Sequence, residues 1–160
     1  MKALTYTLLI IIFVALQATI GNSMKFFLAV PQVVLMLCLA LSVINSKGAS
    51  AAIGMAAGLV LDIATGQHIG LNALLLMHLC LLSSWLAGSY YNVGGKMVMI
   101  FCVLGNLAYS FLYYFLTIAL WGGGNLGVAL MQVIVPELIW SAILCLPIFV
   151  TIKKINSLFK

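Results

Sequence analysis

Long apolar segments that follow one another closely along the chain constrain this protein more than any other feature. Only 6% of its 160 residues are charged, whereas a soluble domain carries about 25% charged residues. The chain therefore has too few charges to cover a water-exposed surface. A helix that spans a bilayer needs about 20 apolar residues, with a lower limit of about 17. Six segments meet this length: 3–20, 26–44, 48–64, 71–87, 97–121 and 136–152.

These segments predict an all-α integral membrane protein in which residues 1–160 form a single transmembrane domain. The connections are too short for an extramembrane domain, so we expect one compact bundle of six transmembrane helices. Segment 126–135 either extends the sixth helix, with a kink at Pro136, or forms a short interfacial helix that ends before this proline. We favour the interfacial helix, because proline suits the first turn of a helix. Glu137 then lies in that turn, where the helix dipole favours a negative charge.

The lysines predict the orientation of the bundle. With six spans, both termini share one side of the membrane, and that side carries six of the seven basic residues, all of them lysines. The other side carries only Lys25. Because cytoplasmic loops carry an excess of Lys and Arg, we expect both termini in the cytoplasm. The apolar run after Lys2 also fits a signal peptide, but no small-residue cleavage pattern follows, so we predict an uncleaved anchor.

The third predicted span carries the first of the two acidic residues of the chain. Gly54 and Gly58 lie four residues apart, and such small residues let membrane helices approach closely. Asp62 follows Gly58 by another four residues, so it shares this face and points toward protein. The structural interpretation of Asp62 is a carboxylate that ends the helix and accepts backbone N–H groups of the following turn. A proton or ion relay and a contact with another protein are the alternatives.

Polar residues also occur within other predicted spans. An ionisable residue such as His78 inside a membrane span indicates function by default, but a neutral imidazole hydrogen-bonded inside the bundle is the simpler interpretation. The fifth span places Asn106, Ser110, Tyr113 and Thr117 on one helical face. This face predicts either hydrogen bonds between helices or a pocket for a small ligand. The residues of a possible partner or pocket face are Gln17, His78, Asn106, Ser110, Tyr113 and Glu137.

The residues that enzymes and metal sites require are not grouped in this sequence. The four cysteines lie in separate apolar segments without a Cys-x-x-Cys spacing, as expected for small buried apolar residues. No nucleophile motif, phosphate loop or pair of neighbouring carboxylates occurs, and Arg, which suits bidentate phosphate binding, is absent. The net charge of +5 does not indicate nucleic-acid binding, since only Lys153 and Lys154 are adjacent. We therefore expect no catalytic activity, cofactor, metal ion or nucleic acid.

The whole chain resembles the MreD family of bacterial integral membrane proteins, most specifically in its central part. The family pattern "G-L-x-x-D … G-x-x-x-G-L-N" matches residues 58–72, and matching positions elsewhere are Gln17, Pro31, Gln32 and Pro136. Within the pattern, Asp62, Gly66, Gly70 and Asn72 are expected to form the outer turn between the third and fourth helices. Members often carry an Asn after the last proline, whereas this chain has Glu137 and Ser141.

The resemblance implies a non-enzymatic scaffold in the bacterial cytoplasmic (inner) membrane. MreD-like proteins work beside the bitopic membrane protein MreC in the rod-shape, or elongation, complex. This complex also contains the MreB filament, the RodA glycan polymerase and a class B penicillin-binding transpeptidase. The expected role is therefore control of peptidoglycan synthesis and cell shape.

The same resemblance supplies the main alternative. The family is similar in fold to the S components of energy-coupling-factor transporters, so a vitamin-binding S component is the second interpretation. S components usually carry an Ala-x-x-x-Ala docking pattern in the first helix, and Ala15 and Thr19 match it imperfectly here. A structural protein of another membrane complex is the third interpretation.

Overall fold

The computed structural model describes residues 2–23, 32–66, 70–89, 95–122, 127, 134–139, 141, 143–144, 147–148 and 151. Its five complete helices are α1 (Lys2–Ser23), α2 (Val33–Ile44), α3 (Lys47–Thr65), α4 (Leu71–Ser89) and α5 (Gly95–Trp121). The described residues from 134 to 151, here called the sixth segment, are helical as well. No strand occurs among the described residues, so the expected all-α class is confirmed for this part of the chain.

In the part of the chain that the structure describes, three helices have the length and apolar composition to cross a membrane. They are α3, α4 and the part of α5 from Val98 to Leu120, whereas the apolar stretches Thr5–Thr19 and Val33–Ile44 are shorter. The first part of the predicted span 26–44, residues 26–31, lies outside the described residues. The bundle of six spans therefore stays a prediction. The predicted interfacial helix 126–135 also lies outside the described residues, apart from 127, 134 and 135, which are helical.

Helix α2 forms the centre of the molecule. Every residue from Val33 to Ser42 is buried, and α2 packs against α1, α3, α4 and α5. A helix that is apolar on all sides suits this position because it has no face that must meet water. Polar groups therefore occur where the neighbouring helices meet each other or meet the two ends of α2.

Helices α3 and α4 form the most extensive helix pair. A Cβ atom at Gly54 would lie 2.6 Å from the Leu76 carbonyl oxygen, and one at Gly58 would lie 2.3 Å from the Ala73 Cα. The absence of side chains at both glycines thus brings the two backbones into direct contact, the packing that small residues permit in membrane helices. This contact places the end of α3 against the start of α4.

The outward faces of the helices are apolar. On α5, Leu104 is 58% exposed, and Phe111 and Phe115 stack on each other with ring centroids 6.3 Å apart. Such a large exposed apolar area is unusual for a soluble protein and is typical of helices that contact lipid. The further exposed apolar residues of α5 are Ile100, Leu107, Leu112 and Leu120.

Candidate functional site: a buried polar cluster

The turn between α3 and α4 begins with a glycine cap. Gly66, the residue after α3, has φ 63° and donates its N–H to the Asp62 carbonyl oxygen at 3.0 Å. Gly70, the residue before α4, has φ 96°. Both values lie in the left-handed region, which glycine adopts without the steric penalty of a Cβ atom. The two glycines therefore allow the chain to leave α3 and enter α4 within a short distance.

The Asp62 carboxylate lies at the start of α4 and is fully buried. Its Oδ2 accepts the backbone N–H of Gly70 at 2.8 Å and that of Ala73 at 3.3 Å. The first N–H groups of a helix have no partner within the helix, and the positive end of the helix dipole lies there. A carboxylate from α3 therefore satisfies and stabilises the first turn of α4. Asp62 Oδ1 is buried without a hydrogen-bond partner among the described residues.

A tyrosine links this turn to α5. The Tyr109 hydroxyl donates a short hydrogen bond to Asn72 Oδ1 in the first turn of α4, and both side chains are buried. The Tyr109 ring stacks on that of Tyr113, with centroids 5.8 Å apart. Because a buried hydroxyl needs a partner, this bond determines how α5 lies against α4.

A second set of buried polar groups joins α5 to the sixth segment. Ser110 donates its hydroxyl to Glu137 Oε2 at 2.9 Å. The Asn106 amide donates to the Ser141 hydroxyl, and that hydroxyl donates to the Glu137 backbone carbonyl at 2.7 Å. All four residues are at most 2% exposed. Helix α5 and the sixth segment are therefore joined by two side-chain contacts, one turn apart.

The same set of hydrogen bonds extends to α1 and α2. Gln17 on α1 accepts the Val34 N–H at 2.9 Å and donates to the Gln32 side chain at 3.0 Å. The Gln32 side chain also lies close to the Glu137 carboxylate. The Gln32 side chain makes no capping bond to α2, so Gln17 caps this helix from α1. Neighbouring polar side chains thus lie between α1, the start of α2, the sixth segment and α5.

The cluster is chemically suited to holding helices together. Most of its hydrogen bonds join side chains to helix ends or to side chains of another helix, and both acidic residues of the chain take part. Paired groups of a buried network rigidify the structure that contains them, whereas Asp62 Oδ1 has no partner among the described residues. Among the described residues, no three His, Cys, Asp or Glu side chains come close enough to hold a metal ion.

The structure brings most of the predicted site residues into two groups. Gln17, Asn106, Ser110 and Glu137 belong to the polar groups between α1, α2, α5 and the sixth segment, and Asp62, Gly66, Gly70 and Asn72 lie at the α3–α4 turn. Tyr113 is half-buried beside the cluster, whereas Gly54 and Gly58 lie along the α3–α4 contact.

His78 lies apart from both groups. Its side chain is exposed, and its Nδ1 hydrogen-bonds to the Leu74 carbonyl oxygen of the same helix at 2.8 Å. The expectation of an imidazole hydrogen-bonded inside the bundle is therefore wrong. The physical reason is the rotation of α4 about its own axis. The buried face of α4 runs through Asn72, Leu76 and Cys80, so His78 lies on the outward face with Leu74.

The sequence analysis did not identify the linking roles of Tyr109, Gln32 and Ser141. For two of them, helical spacing from another polar residue could have indicated the role. Tyr109 lies three residues after Asn106 on the polar face of α5, and Ser141 lies four residues after Glu137. Gln32 carries no such signal, because its partners Gln17 and Glu137 lie far from it in the sequence.

Comparison with known proteins supports the resemblance to the MreD family that the motif around Asp62 indicates. The family model described as "rod shape-determining protein MreD" matches residues 1–157. No individual curated protein gives a significant match, and no solved structure does. Because the family match covers nearly the whole chain, this protein belongs to the MreD family of rod shape-determining membrane proteins.

Proposed function

We propose that this protein is a non-enzymatic scaffold of the rod-shape complex that binds an MreC-like bitopic partner and thereby helps to control peptidoglycan synthesis. The family match over residues 1–157 carries this proposal. The proposed location is the bacterial cytoplasmic membrane, with six spans and both termini in the cytoplasm. Contact with MreB, RodA and the class B transpeptidase is either direct or through the partner.

The use of the polar side chains supports a scaffold. Enzymes present a nucleophile, base or acid to a substrate, whereas the Asp62 and Glu137 carboxylates here bond to helix ends and to neighbouring helices. These bonds fix helix positions, and fixed helices present a constant surface to a partner. The surface itself is apolar, and membrane helices associate through such surfaces by close packing.

The proposed contacts follow from the orientation of the bundle. The single helix of the partner lies against an apolar outward face within the membrane. The periplasmic part of the partner lies near one of the two outer connections, residues 62–71 or 122–135. The first of these is held by Asp62, so its shape depends on the α3–α4 contact.

Coexpression tests this proposal. The protein and the MreC-like protein of its host, produced in one membrane, should copurify and elute together in gel filtration after detergent extraction. The matched control is the same partner with its spanning helix replaced by that of an unrelated single-pass protein. Elution of this protein alone, with a vitamin released from it on denaturation and detected by mass spectrometry, would exclude the scaffold and favour the S-component alternative.

A further inference from the structure

One polar side chain lies on the outward face of α4 deep within the apolar span. His78 is exposed, and the span that contains it runs from Leu71 to Gly88. At 1.5 Å per residue, His78 lies about 10 Å from one end of the span and about 15 Å from the other, well inside a hydrocarbon core that is about 30 Å thick. Ionisable side chains at this depth almost always face protein or a water-filled cavity. The exposed His78 therefore indicates that something other than lipid covers this face.

The hydrogen bond of the imidazole to its own helix determines which chemistry can cover it. His78 Nδ1 lies 2.8 Å from the Leu74 carbonyl oxygen. A carbonyl oxygen only accepts hydrogen bonds, so Nδ1 carries the hydrogen and donates. In a neutral imidazole the other ring nitrogen, Nε2, is then an acceptor, and it has no partner in the part of the chain that the structure describes. An acceptor without a donor is unfavourable in hydrocarbon, where no water replaces the missing bond.

The exposed residues around His78 have the spacing of a helix-packing surface. Leu74, His78, Leu81 and Trp85 follow one another at intervals of four, three and four residues, and all four are exposed. This spacing aligns large side chains along one seam, as in coiled coils and in most membrane helix bundles. The seam, here called the α4 stripe, extends over about 16 Å of helix, so about three turns of a second helix can pack against it.

A second copy of this chain is poorly suited to the α4 stripe. Two copies that insert with the same orientation are related by an axis along the membrane normal, which places the two His78 side chains at the same depth. Both Nε2 atoms would then be acceptors, and neither could donate to the other. A helix of a different protein that carries a hydrogen-bond donor at this depth satisfies the nitrogen. The uncharged side chains that donate from nitrogen or oxygen are Ser, Thr, Asn, Gln, Tyr and Trp.

We propose that the α4 stripe binds the spanning helix of the partner protein, and that an uncharged donor side chain of that helix donates a hydrogen bond to His78 Nε2. The identity of the occupant rests on the proposed function, because the MreC-like partner is bitopic and supplies a single spanning helix. The stripe adds which face of the bundle this helix contacts and which kind of side chain it carries there. Apolar contacts with Leu74, Leu81 and Trp85 complete the interface.

Resonance energy transfer between the labelled full-length chain and the labelled partner in lipid vesicles measures this association. His78→Leu removes the acceptor and places an apolar side chain at an exposed position, so the Tm of the chain alone should not fall. The apparent Kd for the partner should rise about three- to thirtyfold, the effect of one hydrogen bond between membrane helices. Leu81→Ala, within the stripe, should also weaken binding, whereas Leu104→Ala, at an exposed position of α5, should not.

A double-mutant cycle identifies the donor. Each polar residue of the partner's spanning helix is replaced by Leu, alone and together with His78→Leu, and one of them should show a coupling that accounts for most of the loss caused by His78→Leu. Equal binding by wild type and His78→Leu would overturn the α4 stripe as the binding face and leave the proposed function intact. Absence of binding by wild type would overturn both. Energy transfer between two copies of this chain that His78→Leu abolishes would show that the stripe binds a second copy instead.

Discussion

Replacement of Gly58 by alanine is the sharpest perturbation of the α3–α4 contact. The added Cβ would lie 2.3 Å from the Ala73 Cα and 2.5 Å from its N, whereas ordinary contacts begin at 3.4 Å. Both atoms belong to the backbone, so no side chain can rotate away and the helices must separate by at least about 1 Å. Overpacking of this kind costs about 1–3 kcal/mol.

The separation also affects the Asp62 carboxylate. Its bond to the Ala73 N–H is already 3.3 Å long, so a further 1 Å breaks it, and a hydrogen bond to a charged group contributes about 1.5–3 kcal/mol. The two effects together predict a loss of about 2.5–6 kcal/mol of unfolding free energy. For a chain of this size, that loss corresponds to a decrease in Tm of about 5–24 °C.

The assay is thermal unfolding of the purified protein in detergent, and other glycines of the same chain provide matched controls. A Cβ at Gly48 meets nothing within 4 Å, so Gly48→Ala should be neutral or raise Tm slightly. A Cβ at Gly105 meets only the end of the Leu39 side chain, at 2.6 Å, so Gly105→Ala should lie between the two. Equal melting temperatures for the Gly58 and Gly48 variants would refute the backbone contact.

Three further predictions concern the polar groups and the orientation. Asp62→Asn should keep an acceptor at the start of α4 and lower stability less than Asp62→Ala, by about 1 kcal/mol in chemical unfolding; equal losses would mean that charge rather than capping matters. Tyr109→Phe leaves Asn72 Oδ1 without its donor and should lower the unfolding free energy by about 1–3 kcal/mol. A double-mutant cycle of Tyr109→Phe with Asn72→Ala should show a coupling energy, whereas a cycle of Tyr109→Phe with Leu74→Ala should not. In a variant without native cysteines, a cysteine at Gln67 should react with an impermeant maleimide outside intact spheroplasts, whereas a cysteine at Ser46 should react only after lysis. The reverse pattern would contradict the positive-inside orientation.

Local sequence patterns were sufficient to predict the central helices. Helices α3 (Lys47–Thr65) and α4 (Leu71–Ser89) lie close to the predicted segments 48–64 and 71–87. The agreement has a physical cause, because glycines with positive φ at 66 and 70 bound the turn between two uninterrupted apolar runs. The four-residue spacing of Gly54 and Gly58 also indicates the face of α3 that meets α4.

The rotation of α4 and the long-range pairs were not predictable in the same way. Helix α4 is apolar on most sides, so its sequence does not indicate which face is buried, and His78 was assigned to the wrong side. The contact between Gln32 and Glu137 joins residues more than 100 positions apart. No local periodicity reports such a pair, because it arises only when the helices are packed together.

Depletion of the protein in its host tests the central proposal most directly, with the length-to-width ratio of the cells as the measurement. The account predicts that cells become spheres on depletion and return to rods when wild type or the Gly48→Ala variant is supplied. The Gly58→Ala variant, which separates α3 from α4, should restore rods poorly and worst at high temperature. Cells that remain rods after complete depletion would contradict the assignment of this protein to control of cell shape.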